Sequence, residues 1–178
     1  GGSGNELRAA VLGVNDGLVS NFCLIMGVAG SGSASATVLL TGIAGLVAGA
    51  LSMALGEWLS VTNARELAHA QIQLEAEELE QTPEAETKEL ALIYQAKGID
   101  REQALLIASK LIANRDVALE TLAREELGID PDELGGNPWS AAGVSLLLFA
   151  VGAIFPVLPF LWCSGTLAIA ASAVLSLL

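Results

Sequence analysis

Residues 36–61 read ATVLLTGIAGLVAGALSMALGEWLSV, and this stretch decides the fold class. It contains one charged side chain, Glu57, and is longer than the ~20 residues that a helix needs to cross a bilayer. Residues 9–29 form a second apolar stretch, and residues 139–161 a third. A fourth, residues 165–178, has ~14 residues and falls short of a full span. The pattern predicts an all-α membrane protein with four membrane helices, the last one short.

Most of the charged residues lie between the second and the third apolar stretch. Residues 62–137 hold 17 of the 20 acidic residues and 7 of the 8 Lys and Arg residues, so the net charge of −12 belongs mainly to this insert. Its apolar residues recur at helical spacing, and Pro83, Gly98 and Asp100 are typical of helix ends. We therefore predict three or four short helices between membrane helices 2 and 3.

These boundaries give four segments. Residues 1–4 resemble an artificial linker and are left out of the fold argument, and residues 5–61 hold membrane helices 1 and 2. Residues 62–137 form the glutamate-rich, metal-binding helical domain, and residues 138–178 hold membrane helices 3 and 4. Trp58, at the end of the second apolar segment, and Trp139, at the start of the third, are typical of interface anchors.

The charges also indicate the orientation and the kind of partner. Every Lys and Arg is either Arg8 or lies between Arg65 and Arg124, which by the positive-inside rule places the N-terminus and the insert in the cytosol. A strongly acidic insert argues against nucleic acid as a partner and favours a cation. A solvated acidic surface is the alternative.

Sequence motifs of catalysis are missing. The chain has no Gly-rich phosphate loop, no Gly-x-Ser-x-Gly and no His-Glu-x-x-His, which argues against an enzyme and against an organic cofactor. Cys23 and Cys163 both lie in apolar segments and are interpreted as small hydrophobic residues.

Three residues of the apolar segments are candidates for a transport path. Asp16 lies within the first segment, where a carboxylate usually serves an ion or a proton, although pairing with Arg8 at the interface is the alternative. Met53 and Glu57 are four residues apart and share a helix face. A thioether near carboxylates suits Fe²⁺ better than Ca²⁺ or Mg²⁺. Core packing for Met53 and an interfacial charge for Glu57 remain open.

The insert contains two pairs of glutamates at a spacing of three, Glu75 with Glu78 and Glu86 with Glu89. This spacing puts both carboxylates of a pair on one helix face. Two such helices packed together would collect four like charges, whose repulsion a divalent cation relieves. Oxygen ligands alone also accept Mn²⁺, Ca²⁺ or Mg²⁺, and Zn²⁺ is a further candidate for this site.

The chain resembles the vacuolar iron transporter (VIT) family over nearly all of its length. The resemblance rests on the following stretches, in order: NDGLVS at 15–20, ALSMALGEW at 50–58, the glutamate-rich insert, ELG at 126–128, NPW at 137–139 and GAIFP at 152–156.

The resemblance implies a homodimer that exports Fe²⁺ from the cytosol in exchange for protons, in a bacterial inner membrane or a vacuolar-type membrane. It also implies roles for individual residues. Asp16 and Met53 match the family's membrane positions for metal and proton. The positions that match the insert's metal ligands are Glu75, Glu78, Glu86, Glu89 and Glu126.

The chain departs from the family at several points. Gly45 stands where some members have a membrane glutamate, and Leu122 and Ala123 stand where some have two methionines. The family has five membrane helices, against four here, and some bacterial members carry a ferritin-like domain ahead of them. Three rivals stay open: a transporter for Mn²⁺ or several divalent ions, a membrane-anchored metal buffer or sensor, and a structural protein that binds a basic partner.

Overall fold

The computed structural model describes residues 2–131 and 136–177, which form eight helices and contain no strand. They divide into two compact units. The membrane unit comprises the residues up to Ser60 and those from Asn137 onward, and the acidic unit comprises Val61–Gly136. The prediction of an all-α fold is confirmed.

The helices, in chain order, are α1 (Gly2–Gly30), α2 (Ser35–Gln81), α3 (Pro83–Ala96), α4 (Arg101–Ile112), α5 (Arg115–Glu125), α6 (Pro138–Ile154), α7 (Pro159–Trp162) and α8 (Gly165–Leu177). Two of them are long and apolar enough to cross a membrane: residues Ala10–Gly30 of α1, and α2. The apolar helices α6 and α8 are shorter, at 17 and 13 residues.

Helix α2 is longer than the sequence pattern predicts. We expected membrane helix 2 to end by residue 61 and a separate short helix to follow it in the insert, but one helix runs from Ser35 to Gln81. No Gly or Pro lies between Gly56 and Thr82, so the change from apolar to charged residues alters the polarity of the helix without interrupting its backbone.

The third apolar segment is broken, as its prolines predict. Helix α6 ends at Ile154, two residues before Pro156, and the short α7 begins at Pro159. The carbonyl oxygen of Pro156 accepts a hydrogen bond of 2.8 Å from the hydroxyl of the fully buried Ser172 on α8. This bond satisfies a backbone group at the break, a requirement for non-helical backbone at membrane depth.

Helices α1 and α6 approach each other so closely that glycine is required on both. A Cβ atom at Gly17 would lie 2.1 Å from the carbonyl oxygen of Phe149, and one at Gly152 would lie 1.8 Å from that of Val14. Small residues at such crossings let two backbones pack without intervening side chains. The close approach joins the first membrane segment to the third.

Large apolar side chains cover the outer surface of the membrane unit. On α2, Leu40, Leu51 and Leu55 are each more than half exposed. One cluster in the unit's interior combines the small Ala50 and Ala153 with the aromatic ring of Phe149. Apolar side chains on the outer surface, with small residues where helices pack closely, suit a helix bundle in lipid. At one end of the unit, the rings of Trp58 and Trp139 lie 5.8 Å apart.

The acidic unit has its own hydrophobic core, formed by the second part of α2 with α3, α4 and α5. Its buried residues are Leu79, Leu90, Ala91, Ala104, Ala108, Ala118 and Leu122, with Tyr94 and Leu119 among those packed against them. The carboxylate of Asp100 accepts from the backbone N–H of Glu102 and caps α4, as predicted. Short helices are thus fixed by tertiary packing.

The α1–α6 crossing makes a testable prediction. Gly152→Ala places a methyl group against the α1 backbone, and overpacking of this kind destabilises a protein by about 1–3 kcal/mol. We expect a lower melting temperature for the detergent-solubilised variant, measured by circular dichroism. Gly143→Ala on the same helix is the control, because its Cβ would meet nothing within 4 Å. Equal melting temperatures for the two variants would contradict the close crossing.

Candidate metal centre

Two buried glutamates of the acidic unit are placed by the apolar residues next to them. Glu75 precedes Leu79 on α2 by four positions, and Glu86 precedes Leu90 on α3 by four. All four side chains are buried, so each glutamate shares its helix's inward face with a leucine of the core. Helix α2 ends at Gln81 and α3 begins at Pro83, and Leu79 and Leu90 belong to the same hydrophobic core. Burial of the leucines therefore brings the two carboxylates inside.

A third carboxylate joins them from the end of α5. Glu126 is the C-cap residue of this helix, and its backbone N–H donates to the carbonyl oxygen of Leu122. One carboxylate oxygen from each of Glu75, Glu86 and Glu126 lies within 4.8 Å of the other two. Glu75 and Glu86 are 3% and 4% exposed, whereas Glu126 faces solvent. The three oxygens are close enough to bind one ion together.

The local electrostatics oppose the ionisation of these carboxyls. Burial, the charges of Glu126, Glu86 and Glu78, and a hydrogen bond with Glu86 together raise the pKa of Glu75 to about 8, and burial is the largest cause. The pKa of Glu86 is also raised by burial, although its hydrogen bond with Glu75 partly offsets the increase. At neutral pH the metal-free centre therefore holds a proton.

Glu78 and Glu89 belong to the same electrostatic cluster. Burial raises the pKa of Glu126, and the charges of Glu89, Glu86 and Glu78 add to the increase. Glu78 and Glu89 are themselves exposed. The structure thus brings together all five glutamates that the sequence singled out in the insert. Glu75, Glu86 and Glu126 converge on one point, and Glu78 and Glu89 are close enough for their charges to raise the pKa of Glu126.

The centre has unsatisfied acceptors. Oε1 of Glu75 and Oε2 of Glu86 are buried, and neither has a hydrogen-bond partner among the residues that the structure describes. The basic side chains seen in ion pairs bind carboxylates outside the centre: Lys97 binds Glu125, Arg115 binds Glu80, and Arg124 binds Glu120 and Asp130. Buried oxygens left without donors are suited to a cation, because a cation supplies the missing positive charge.

The donor atoms of this centre are oxygens. Leu122 and Ala123, which stand at the two positions where the resemblance placed methionines, are fully buried. Leu122 belongs to the hydrophobic core of the acidic unit. Carboxylate oxygens bind hard and borderline divalent ions and provide little preference for Fe²⁺ over Mn²⁺.

The residues predicted for a membrane path all belong to the membrane unit. Asp16 on α1 and Glu57 on α2 are exposed on the membrane unit. Met53 is half-buried and packs against the cluster of Ala50, Phe149 and Ala153. Sequence reasoning also passed over Asn21, a buried polar residue on α1. Its position within an apolar segment is the signal that could have identified it.

Comparison with known proteins identifies the family. The sequence profile of the VIT family matches residues 7–178. The chain belongs to the VIT family. The similarity noted in the motifs is thereby confirmed, and with the two apolar helices it makes this VIT-family chain an integral membrane protein.

Individual relatives carry names that agree with the family. A vacuolar iron transporter of Acanthamoeba castellanii is 41% identical over 161 residues, which are 90% of this VIT-family chain and 58% of the relative. Vacuolar iron transporter 2 of Oryza sativa subsp. japonica is 33% identical, over 90% of the chain and 65% of the relative. Vacuolar iron transporter 1 of Arabidopsis thaliana is 31% identical, over 98% of the chain and 70% of the relative. The chain spans 58–70% of the length of these three relatives.

The raised pKa of Glu75 makes the stability of the metal-free protein depend on pH. A carboxyl whose pKa is raised by folding stabilises the fold fully below its ordinary pKa of 4.5, and this contribution is lost as the pH rises to about 8. We expect the melting temperature to fall over this interval in the presence of a chelator. Glu75→Gln removes the titrating group and should reduce the fall.

Glu77→Gln on the same helix is the matched control, because Glu77 is exposed. Its melting profile should follow that of the unmodified protein at every pH. A melting temperature of the unmodified protein that does not change between pH 5 and 8 would show that the carboxyls are not gathered as described.

Proposed function

We propose that this chain acts in a divalent metal transporter that exports Fe²⁺ from the cytosol in exchange for protons. The observation that carries the proposal is the convergence of Glu75, Glu86 and Glu126 on one point within 4.8 Å. Membership of the VIT family and the names of the relatives, vacuolar iron transporters, support iron as the substrate.

The acidic unit captures the ion in this proposal. Five gathered carboxylates lower the electrostatic potential at the cluster, which attracts a doubly charged cation. Binding displaces the proton held on Glu75, because a metal and a proton compete for the same oxygens. The affinity of the cluster therefore falls as the pH falls. The acidic unit faces the cytosol, as the distribution of Lys and Arg supports.

The membrane path uses Asp16, Met53 and Glu57. Asp16 provides a carboxylate within the apolar segment of α1, and Met53 a soft sulfur ligand on α2. Glu57, four residues after Met53, supplies a negative charge on the same helix. Protonation of Asp16 from the far side removes a ligand charge and favours release of the ion, which couples transport to a proton gradient. The exposure of Asp16 fits a path formed with a second copy of the chain in a homodimer.

A second candidate function is transport of several divalent ions. The observation that favours it is the all-oxygen centre, with Leu122 and Ala123 buried where thioether ligands would have added preference for softer ions. A bacterial inner membrane or a vacuolar-type membrane suits either substrate.

Flux measurements with two variants test the transport proposal. In proteoliposomes that contain the full natural chain, we expect Asp16→Ala to reduce Fe²⁺ flux by about 10-fold or more, because the membrane ligand is lost. Glu86→Ala should weaken binding of Fe²⁺ to the acidic unit by about 10–100-fold, the loss typical of changes at a metal centre. It should reduce flux mainly at low Fe²⁺.

A metal buffer without transport would differ from a transporter in its response to the two variants. It would lose binding with Glu86→Ala, and Asp16→Ala would have no effect. Glu102→Ala on α4 is the control for surface charge, because it lies outside the cluster and should leave flux and binding unchanged. Fe²⁺ flux that does not respond to a pH gradient would refute proton coupling while leaving metal transport in place.

Competition between Fe²⁺ and Mn²⁺ distinguishes a transporter selective for Fe²⁺ from a transporter of several divalent ions. If the centre lacks preference among divalent ions, Mn²⁺ added at the same saturating concentration as Fe²⁺ should reduce Fe²⁺ flux by about half, since two equal ligands then share one occupied site. The measurement is uptake of radioactive iron under reducing conditions with increasing Mn²⁺. Fe²⁺ flux that persists in a 100-fold excess of Mn²⁺ would exclude the broad-specificity alternative.

A further inference from the structure

One polar residue interrupts the inward face of α1. Gly13, Gly17, Asn21 and Ile25 recur every four residues, and all four are buried. Two of them have no side chain and one is aliphatic. Asn21 is 2% exposed, so its carboxamide is enclosed by the membrane unit. A buried amide in an apolar bundle is unfavourable unless its hydrogen bonds are satisfied.

The nitrogen of this amide joins three helices. Nδ2 of Asn21 donates to the carbonyl oxygen of Gly42 on α2 at 3.1 Å and to that of Ala153 on α6 at 2.7 Å. Because both partners are carbonyl oxygens, which accept only, the amino end of the amide must face them. The residue thereby links the first helix to one helix before the insert and to one helix after it.

The oxygen of the amide is left unused. Oδ1 of Asn21 is buried and has no hydrogen-bond partner among the described residues. It points towards Gly45 on α2, where a Cβ atom would lie 2.6 Å from it. The absence of a side chain at Gly45 is what leaves room for the amide. The two donated bonds are therefore the contribution that this side chain makes.

The bond from Asn21 to Ala153 bears on the relative placement of Asp16 and Met53, two of the three residues of the proposed membrane path. Met53 packs against the cluster that contains Ala153. Asp16 lies five residues before Asn21 on α1, on the exposed side of that helix. A fixed bond between α1 and Ala153 therefore fixes the position of Asp16 relative to the surface on which Met53 rests.

We propose that Asn21 is a positioning residue for transport: its amide holds α1, with Asp16, in register against α2 and α6 through bonds to Gly42 and Ala153. The inference rests on the proposed transport function. Asn21 does not bind the ion, so it acts on the rate at which a captured ion crosses and leaves the capture of the ion unchanged.

Two pairs of variants separate hydrogen bonding from packing. Asn21→Asp keeps the size of the side chain and replaces the amino group by an oxygen, which repels the two carbonyl oxygens when it is ionised. Asn21→Ser and Asn21→Ala leave similar cavities, but only serine can donate one hydrogen bond. Asn63→Asp, at an exposed position, is the control for the chemical change. Fe²⁺ flux in proteoliposomes, Fe²⁺ binding by calorimetry and the melting temperature in detergent are measured for each protein.

For Asn21→Asp we expect the maximal flux to fall about 10-fold or more, since small displacements of positioned groups have effects of this size. The Fe²⁺ concentration for half-maximal flux and the calorimetric affinity should not change. Asn21→Ser should retain several-fold more flux than Asn21→Ala, at similar melting temperatures.

Two results would overturn the inference. One is flux by Asn21→Asp that equals that of the unmodified protein. The other is equal flux by the Ser and Ala variants with a shared loss of melting temperature, which would assign Asn21 to packing alone. Absence of flux in the unmodified protein would overturn the transport proposal itself and this inference with it. If the unmodified protein transports Fe²⁺ and substitution of Asn21 does not reduce the flux, only this inference is overturned.

Discussion

Repulsion among carboxylates held together on the acidic unit is the constraint on which the rest of the account depends. Glu75, Glu86 and Glu126 converge within 4.8 Å, and burial with mutual repulsion raises the pKa of each. A fold that gathers like charges stores an unfavourable interaction that a proton or a cation relieves. The same interaction that destabilises the empty centre therefore favours binding of a divalent ion.

The hydrophobic core of the acidic unit provides the free energy that holds these groups together. Leu79 and Leu90 are buried on the same helix faces as Glu75 and Glu86, so the carboxylates cannot separate unless the leucines leave the core. Apolar burial of about 1.5–3 kcal/mol per large side chain offsets the electrostatic repulsion. In the membrane unit, the corresponding role belongs to the close crossing of α1 and α6, which the absence of a side chain at Gly17 and Gly152 makes possible.

Much of this arrangement could be predicted from the sequence because it follows local rules. The all-α fold, the end of α6 before Pro156 and the cap at Asp100 all depend on residues close together in the chain. The shared helix face of each glutamate pair is set by its spacing of three. The family resemblance, confirmed by the profile match, led to Glu126 as well.

Features that depend on distant residues do not follow from local patterns. The convergence of Glu126 with Glu75 requires the path of α5, and only the family resemblance implied it. The bond from Asn21 to Ala153 joins residues 132 positions apart. The continuity of α2 was also missed, because a change from apolar to charged residues resembles a boundary although the backbone has no reason to end there.

The most direct test of the central claim is to locate a metal ion in the protein. Crystals of the full natural chain, grown with Mn²⁺ as a stable substitute for Fe²⁺, would be measured at the manganese absorption edge. The account predicts an anomalous peak among the carboxylates of Glu75, Glu86 and Glu126, and loss of that peak in Glu86→Ala. Anomalous peaks for manganese elsewhere in a crystal soaked to saturation with Mn²⁺, and none between these three residues, would contradict the account.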